Sequence, residues 1–266
     1  MSLPVTADRP VFVGVVHLLP LPGAPVEGPG LEAVLDRAQG DVRVLAEGGC
    51  DAVIVENLGD APFGSGEVGP FTVAAMTRLV GAVMRAAPEL SIGVNVLRND
   101  ALAAMAVAAA TGAGFVRVNV HTGAMVTDQG LIEGRARETL LLRRRLGADV
   151  AIVADVLVKH AVPLGPWTLP DAARDAAARG RADVLVVTGA GTGRPTAPTD
   201  VAQVREVVEV PVWVGSGLGP DTLGAFGPLA GAIVGTALHV DGDVTAPVEL
   251  ARVRAMRDAL AAHPSD

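Results

Sequence analysis

Histidine, carboxylate, amide and arginine side chains gather at the ends of short β-branched runs, and their spacing sets the chemistry they can share. Arg117, Asn119 and His121 fall on one face of an extended segment, because side chains alternate along a strand; Asp155 and Lys159 share one face of another segment and its continuation. His17 closes a third run, Glu56 and Asn57 a fourth, and Asn95 and Arg98 a fifth. A carboxylate placed among such groups can take a proton from a carbon acid or a hydroxyl. Glu56, Asp155, Lys159 and His17 are the expected acid, base and electrostatic groups. Asn57, Asn95, Arg98, Arg117, Asn119, His121 and His160 are the expected substrate contacts.

Lys159 is the one lysine among 21 basic residues. It can form a Schiff base with a carbonyl if burial lowers its pKa, or pair with Asp155, Glu56 or a ligand anion, and pairing is the expected role. An inward Arg117 needs a carboxylate or an anionic substrate beside it, because an unpaired buried guanidinium is costly. Asp155 and Glu56 are the available partners. His17, Glu56 and Asp155 could instead ligate a divalent metal, but no His-x-His or His-x-x-x-His spacing marks a site, so the metal requirement stays open. No other cofactor is indicated.

Glycine-rich turns follow the last three β-branched runs. They read Thr188-Gly189-Ala190-Gly191-Thr192-Gly193, Gly215-Ser216-Gly217 and Gly235-Thr236. Glycines let backbone N–H groups close on an anion, and barrels often hold phosphate at their last loops. Thr188, Gly189, Gly191, Gly215, Ser216, Gly217, Gly235 and Thr236 are the expected phosphate contacts, although glycines also simply make tight turns. The expected partner is a phosphorylated small molecule.

The elements that must position these groups are legible as a repeat. Candidate strands at 11–17, 52–56, 92–97, 115–120, 150–156, 184–188, 212–215 and 232–234 alternate with stretches at helical spacing. Those stretches are 31–47, 71–87, 101–111, 133–146, 169–179, 201–208, a short one near 222, and 247–261. Asp100 is a natural N-cap for the third and Gly112 its stop. Strand then helix, eight times over, predicts a single (β/α)8 TIM barrel spanning 1–266, with chemistry at the C-terminal strand ends. A dinucleotide fold lacks its Gly-rich first turn, and Lys159, which follows Val158, cannot belong to a P-loop. Loops at 18–30 and 57–69 are long enough to serve as lids, and 122–131, with Asp128 and Gln129, is a third loop able to close over the mouth.

Composition narrows the setting. Half of the 266 residues are hydrophobic, which excludes disorder, and a net charge of -8 leaves no basic face for a phosphate backbone, so no nucleic-acid partner is expected. Cys50 is alone, which excludes an internal disulfide and a thiolate metal cluster and fits a reduced, cytoplasmic chain. The apolar run 11–21 lacks the basic flank of a secretory signal, and no run is long enough to span a membrane, leaving only peripheral membrane contact open. Apolar positions on the outer helices make a homo-oligomer the expectation.

The strand-end phrases resemble the BtpA/SgcQ family. They are His-Leu-Leu-Pro-Leu-Pro-Gly at 17–23, Val-Glu-Asn-Leu-Gly-Asp-Ala-Pro-Phe at 55–63, Gly-Val-Asn-Val-Leu-Arg-Asn-Asp at 93–100 and Arg-Val-Asn-Val-His-Thr-Gly-Ala at 117–124. The likeness continues through Thr-Asp-Gln-Gly at 127–130, Ala-Asp-Val-Leu-Val-Lys-His-Ala at 154–161, Val-Thr-Gly at 187–189 and Val-Gly-Ser-Gly at 214–217. The resemblance implies a ribulose-phosphate-binding-type barrel, and links the chain either to photosystem I biogenesis or to members described as nucleoside triphosphatases. Two functions are therefore expected in competition. One is an enzyme acting on a sugar phosphate or nucleotide-like metabolite by acid/base chemistry: isomerisation, or cleavage of a carbon–carbon or glycosidic bond. The other is a non-catalytic assembly or regulatory factor.

Overall fold

A computed structural model describes residues 3–4, 9–158, 161–189 and 195–266 of the chain. Its strands are β1 (Val11–His17), β2 (Ala52–Glu56), β3 (Ser91–Asn95), β4 (Phe115–Val118), β5 (Ala124–Thr127), β6 (Gly130–Glu133), β7 (Ala151–Val156), β8 (Ala161–Pro163), β9 (Val184–Val187), β10 (Val212–Val214) and β11 (Gly231–Val234). The helices are α1 (Leu31–Gly48), α2 (Pro70–Ala86), α3 (Ala101–Thr111), α4 (Ala136–Leu146), α5 (Leu169–Arg174), α6 (Pro198–Arg205), α7 (Pro220–Leu223) and α8 (Leu250–Ala261). Eight parallel strands close into a barrel in the order β1-β11-β10-β9-β7-β4-β3-β2. The expected (β/α)8 architecture is the one the chain adopts.

Local chemistry explains the element ends. Asp100 Oδ1 accepts the Ala103 N–H at 2.9 Å, capping α3, and Gly112 ends that helix at a φ of 83°, where a side chain would be strained. Proline opens α2, α6 and α7, where a missing N–H costs nothing. Burial then divides along the strand period. One set of side chains packs outward against the helices, including Phe12, Val16, Val53, Val55 and Val116, and the alternate set fills the barrel. That inner set is Val11, Val13, Val15, Ala52, Ile54, Phe115, Val153, Val184, Val186, Trp213 and Ile233. Phe115 and Trp213 are fully buried because the neighbouring strands offer glycine: a Cβ on Gly93 would lie 2.2 Å from the Phe115 ring, and one on Gly231 would lie 2.6 Å from Trp213.

The same period places the chemistry. Two residues beyond the last apolar inward side chain come His17 after Val15, Glu56 after Ile54, Arg117 after Phe115 and Asp155 after Val153, so the polar groups form a layer capping the apolar barrel interior. Strand register reinforces the layer, with His17 opposite Glu56 and Glu56 opposite Asn95.

Three features depart from the sequence expectation. The segment 122–131, read as a loop, contains β5 and the start of β6, and β5 also pairs with β8 to make a small antiparallel sheet in the order β6-β5-β8. Helix α4 consequently starts at Ala136 rather than at 133. Strand β4 stops at Val118, before the expected 120, because the Asn99 amide takes over the backbone of Val120: its Oδ1 accepts the N–H at 2.8 Å and its Nδ2 donates to the carbonyl at 2.9 Å. The alternation that would carry His121 inward ends there.

Candidate active site

Arg117 and Asp155 lie side by side on β4 and β7 and form a bidentate pair, Nε to Oδ1 and Nη2 to Oδ2, both at 3.0 Å. Asn119 Nδ2 donates a third bond to Asp155 Oδ2 at 3.0 Å. Both carboxylate oxygens of Asp155 are thus engaged, and its side chain is 0% exposed. Burial works against the Arg117 charge, but Asp155 and Glu56 outweigh it and hold the guanidinium pKa above its ordinary value. Glu56 is differently placed. Asn95 Nδ2 donates to its Oε2 at 2.6 Å, and no group among the described residues bonds its Oε1.

His17 faces His239, a residue the sequence reading did not single out. The two rings meet edge to edge, His17 Nδ1 to His239 Nε2 at 3.1 Å, and His239 Nδ1 lies 2.7 Å from the Ala246 carbonyl. Gly235 makes room for this arrangement, since a Cβ there would sit 2.7 Å from His17 Cε1. His239 follows a glycine turn after the last strand, and only its distance to His17 marks it.

The mouth of the barrel is a cavity with two lobes that share His17, Glu56, Arg117 and Thr236. One lobe, of about 330 Å³, is lined by the turns after β10 and β11, from Gly215 to Gly219 and from Gly235 to Ala237. None of the backbone N–H groups of Ser216, Gly217, Leu218, Gly235, Thr236 and Ala237 meets an acceptor among the described residues. A cavity lined by unpaired N–H donors is suited to an anion. Ser216 is fixed from below, where Thr196 donates to its carbonyl at 3.0 Å. The other lobe, of about 640 Å³, is lined by Leu58, Phe63, Leu97, Arg98, Asn119, Asp128, Gln129 and Val244. Asp128 and Gln129 reach it from the turn between β5 and β6, so this hairpin does border the mouth.

The remaining expected residues divide by position. Asn57 lies beside the lobes and ties loops together, its Oδ1 accepting the Leu97 N–H at 2.7 Å and its Nδ2 donating to Asp60 at 3.0 Å, while Asp60 holds the Leu21 N–H. Thr188 is buried after β9, and the Gly189 N–H is already taken by Ser216 Oγ at 2.7 Å. Lys159, His160 and Gly191 lie outside the described residues. Among the described residues no three His, Cys, Asp or Glu side chains converge as a cation site, and Asp155 is committed to Arg117. Cys50 sits away from the mouth against β1, with burial raising its thiol pKa.

His121 turns away from both lobes and donates from Nε2 to the Gly180 carbonyl at 2.8 Å. Burial holds its pKa below the usual histidine range, against the bond to Gly180. The unfolded chain protonates this ring near pH 6.5, at about the ordinary value. The stability that neutral His121 contributes is therefore complete above that pH and lost as pH falls through the depressed folded value. The His121→Gln variant keeps a donor for Gly180 and does not titrate, so its melting temperature should fall less steeply than wild type below about pH 6.5. Superimposable pH profiles would remove His121 from this role.

Comparison with known proteins agrees with the barrel fold. A family model described as the BtpA family matches residues 8–262. The photosystem I biogenesis protein BtpA of Synechocystis sp. is 46% identical over 94% of this chain and 87% of its own length. Among solved structures, the thiamine phosphate pyrophosphorylase of Pyrococcus furiosus superposes with a TM-score of 0.57 at 15% identity, covering 94% of this chain and 96% of that one. The phosphoribosyl anthranilate isomerase of Thermococcus kodakaraensis gives 0.52 at 17% identity, covering 93% and 97%. At such identities the structures share the fold alone. No helix among the described residues is long and apolar enough to cross a membrane.

Proposed function

The chain belongs to the BtpA family, and from that premise we propose that it is an enzyme that binds a phosphorylated small metabolite, a sugar phosphate or nucleotide-like compound, and moves a proton on it. The observation that carries this reading is the set of N–H groups after β10 and β11 that meet no acceptor among the described residues, on a lobe also lined by Glu56 and His17. The phosphate would sit in the smaller lobe and the rest of the molecule in the larger one, among Arg98, Asn119, Asp128 and Gln129. Glu56, with Oε1 unbonded among the described residues and Oε2 steadied by Asn95, serves as the base, and His17 exchanges the second proton. Asp155 holds Arg117 in place, and the guanidinium stabilises negative charge that develops on the substrate. Two neighbours in fold carry phosphate-bearing compounds in their names, which supports the class of ligand without choosing a member.

A thermal-shift panel of phosphorylated sugars, nucleotides and inorganic phosphate, with and without magnesium, manganese and zinc, tests this proposal. A ligand at about 100 times its dissociation constant stabilises by about 2.7 kcal/mol, a readily measured shift. Gly217 has a φ of 69°, so Gly217→Ala strains the turn that presents the N–H groups and should weaken every phosphorylated hit. Hits that survive this substitution undiminished would place the phosphate elsewhere.

The name of the Synechocystis relative favours a second reading, an assembly or regulatory factor acting through its surface. Pull-downs with wild type and with a Glu56→Gln pocket variant separate the two. Equal capture of the same partner by both, together with silence across the panel, would favour the factor.

A further inference from the structure

We infer that His239 is a positioning residue that fixes the tautomer of His17, so that His17 gives and takes its proton at Nε2 alone; this rests on the acid/base reading of His17 given above. Each contact along the chain from Ala246 to His17 fixes the position of one hydrogen atom. The Ala246 carbonyl can only accept, so His239 Nδ1, 2.7 Å away, must carry a proton. With Nδ1 protonated, the neutral His239 ring presents a lone pair at Nε2. That lone pair lies 3.1 Å from His17 Nδ1, which must in turn be the N–H donor. The neutral His17 ring then has its lone pair on Nε2.

The arrangement supports both protonation states of His17. His17 Nδ1–H donates to His239 whether or not Nε2 carries a proton, so proton exchange leaves the contact intact and needs no ring flip. The Nε2 edge is also the edge directed at the phosphate-binding turn, since a Cβ on Gly235 would lie 3.2 Å from Nε2. His239 is itself 0% exposed, and its ring is held between His17 and the 240s loop, where its backbone N–H bonds to Thr236 and Glu249 N–H bonds to the neighbouring Leu238 carbonyl. A buried imidazole with both nitrogens engaged, one of them on a ring that lines both lobes, has the build of an orienting partner.

Histidine-selective nitrogen NMR reads the tautomer directly in the intact protein, with no substrate needed. Wild type should show His17 with its proton on Nδ1 at pH values where the ring is neutral. His239→Leu should shift His17 toward the tautomer with Nε2–H, and His239→Gln, whose side-chain carbonyl can still accept from Nδ1–H, should restore the wild-type signature. His17 found with Nε2–H in wild type would overturn the inference outright, whatever the variants do. An unchanged His17 signature in a folded His239→Leu protein would overturn it as well. Loss of the acid/base reading has a different signature: His17→Ala turning over substrate at the wild-type rate while the tautomer remains as described.

Discussion

Asp155→Ala should lower the stability of the folded chain by about 3–5 kcal/mol, because it strips the buried Arg117 guanidinium of its bidentate partner and leaves only the charge of Glu56 to offset it. For a chain of this size that corresponds to a fall of roughly 10 °C in melting temperature. The loss should be recovered in large part by removing both charges together, as in an Arg117→Met and Asp155→Leu double variant, since a hydrophobic pair of similar volume replaces a buried ion pair at little cost. The double-mutant cycle read by thermal and urea denaturation measures the coupling. Near-wild-type stability in Asp155→Ala alone would mean that water reaches Arg117 and that the bidentate pair of the structure is not maintained in solution. The double variant should also lose turnover while regaining stability, which separates the role of Arg117 in the site from its cost to the fold.

Glu56→Gln is the second large effect, and it falls on rate instead of stability. Asn95 can still donate to the amide oxygen, and the side chain keeps its shape, so melting temperature and phosphate affinity should stay close to wild type. The proton acceptor is lost, and turnover of the metabolite found in the ligand panel should drop by about a hundred- to ten-thousandfold. Steady-state kinetics and calorimetric binding on the same preparation check both halves. Turnover within a few-fold of wild type would exclude Glu56 as the base and direct attention to His17.

These two residues also show how much of the site can be read from the sequence. The apolar alternation of β1, β2, β4 and β7 ends in His17, Glu56, Arg117 and Asp155, and a two-residue step beyond a buried side chain is enough to place all four inward. The cost of burying an arginine calls for a carboxylate beside Arg117 and leaves Asp155 and Glu56 as candidates; the bidentate bonds of the structure fall on Asp155. What the sequence does not contain is the point at which a strand stops. His121 continues the Arg117 and Asn119 alternation on paper, but the Asn99 amide captures the Val120 backbone, β4 ends, and the imidazole turns to Gly180.

The same limit applies to groups brought together by long connections. His239 and His17 are separated by nearly the whole chain, and nothing local to His239 distinguishes it from a surface histidine; the contact exists because β1 and β11 are neighbours in the closed barrel. The hairpin of β5 and β6 is hidden by its shortness, two four-residue strands around the two-residue turn Asp128-Gln129, with Gly130 opening β6 at a φ of 99°. The glycine turns were visible as anion-binding candidates, yet composition could not say which N–H groups remain unpaired. Gly189 gives its N–H to Ser216, while the turns after β10 and β11, which line the cavity, keep N–H groups that meet no acceptor among the described residues.

The proposed function requires those turns to hold a phosphate. A crystal structure determined with inorganic phosphate tests it most directly. An anion is expected within hydrogen-bond distance of the N–H groups of Ser216, Gly217, Gly235 and Thr236, beside Glu56 and His17. Phosphate bound only at surface arginines, with the lobe holding water at the same phosphate concentration, would contradict it.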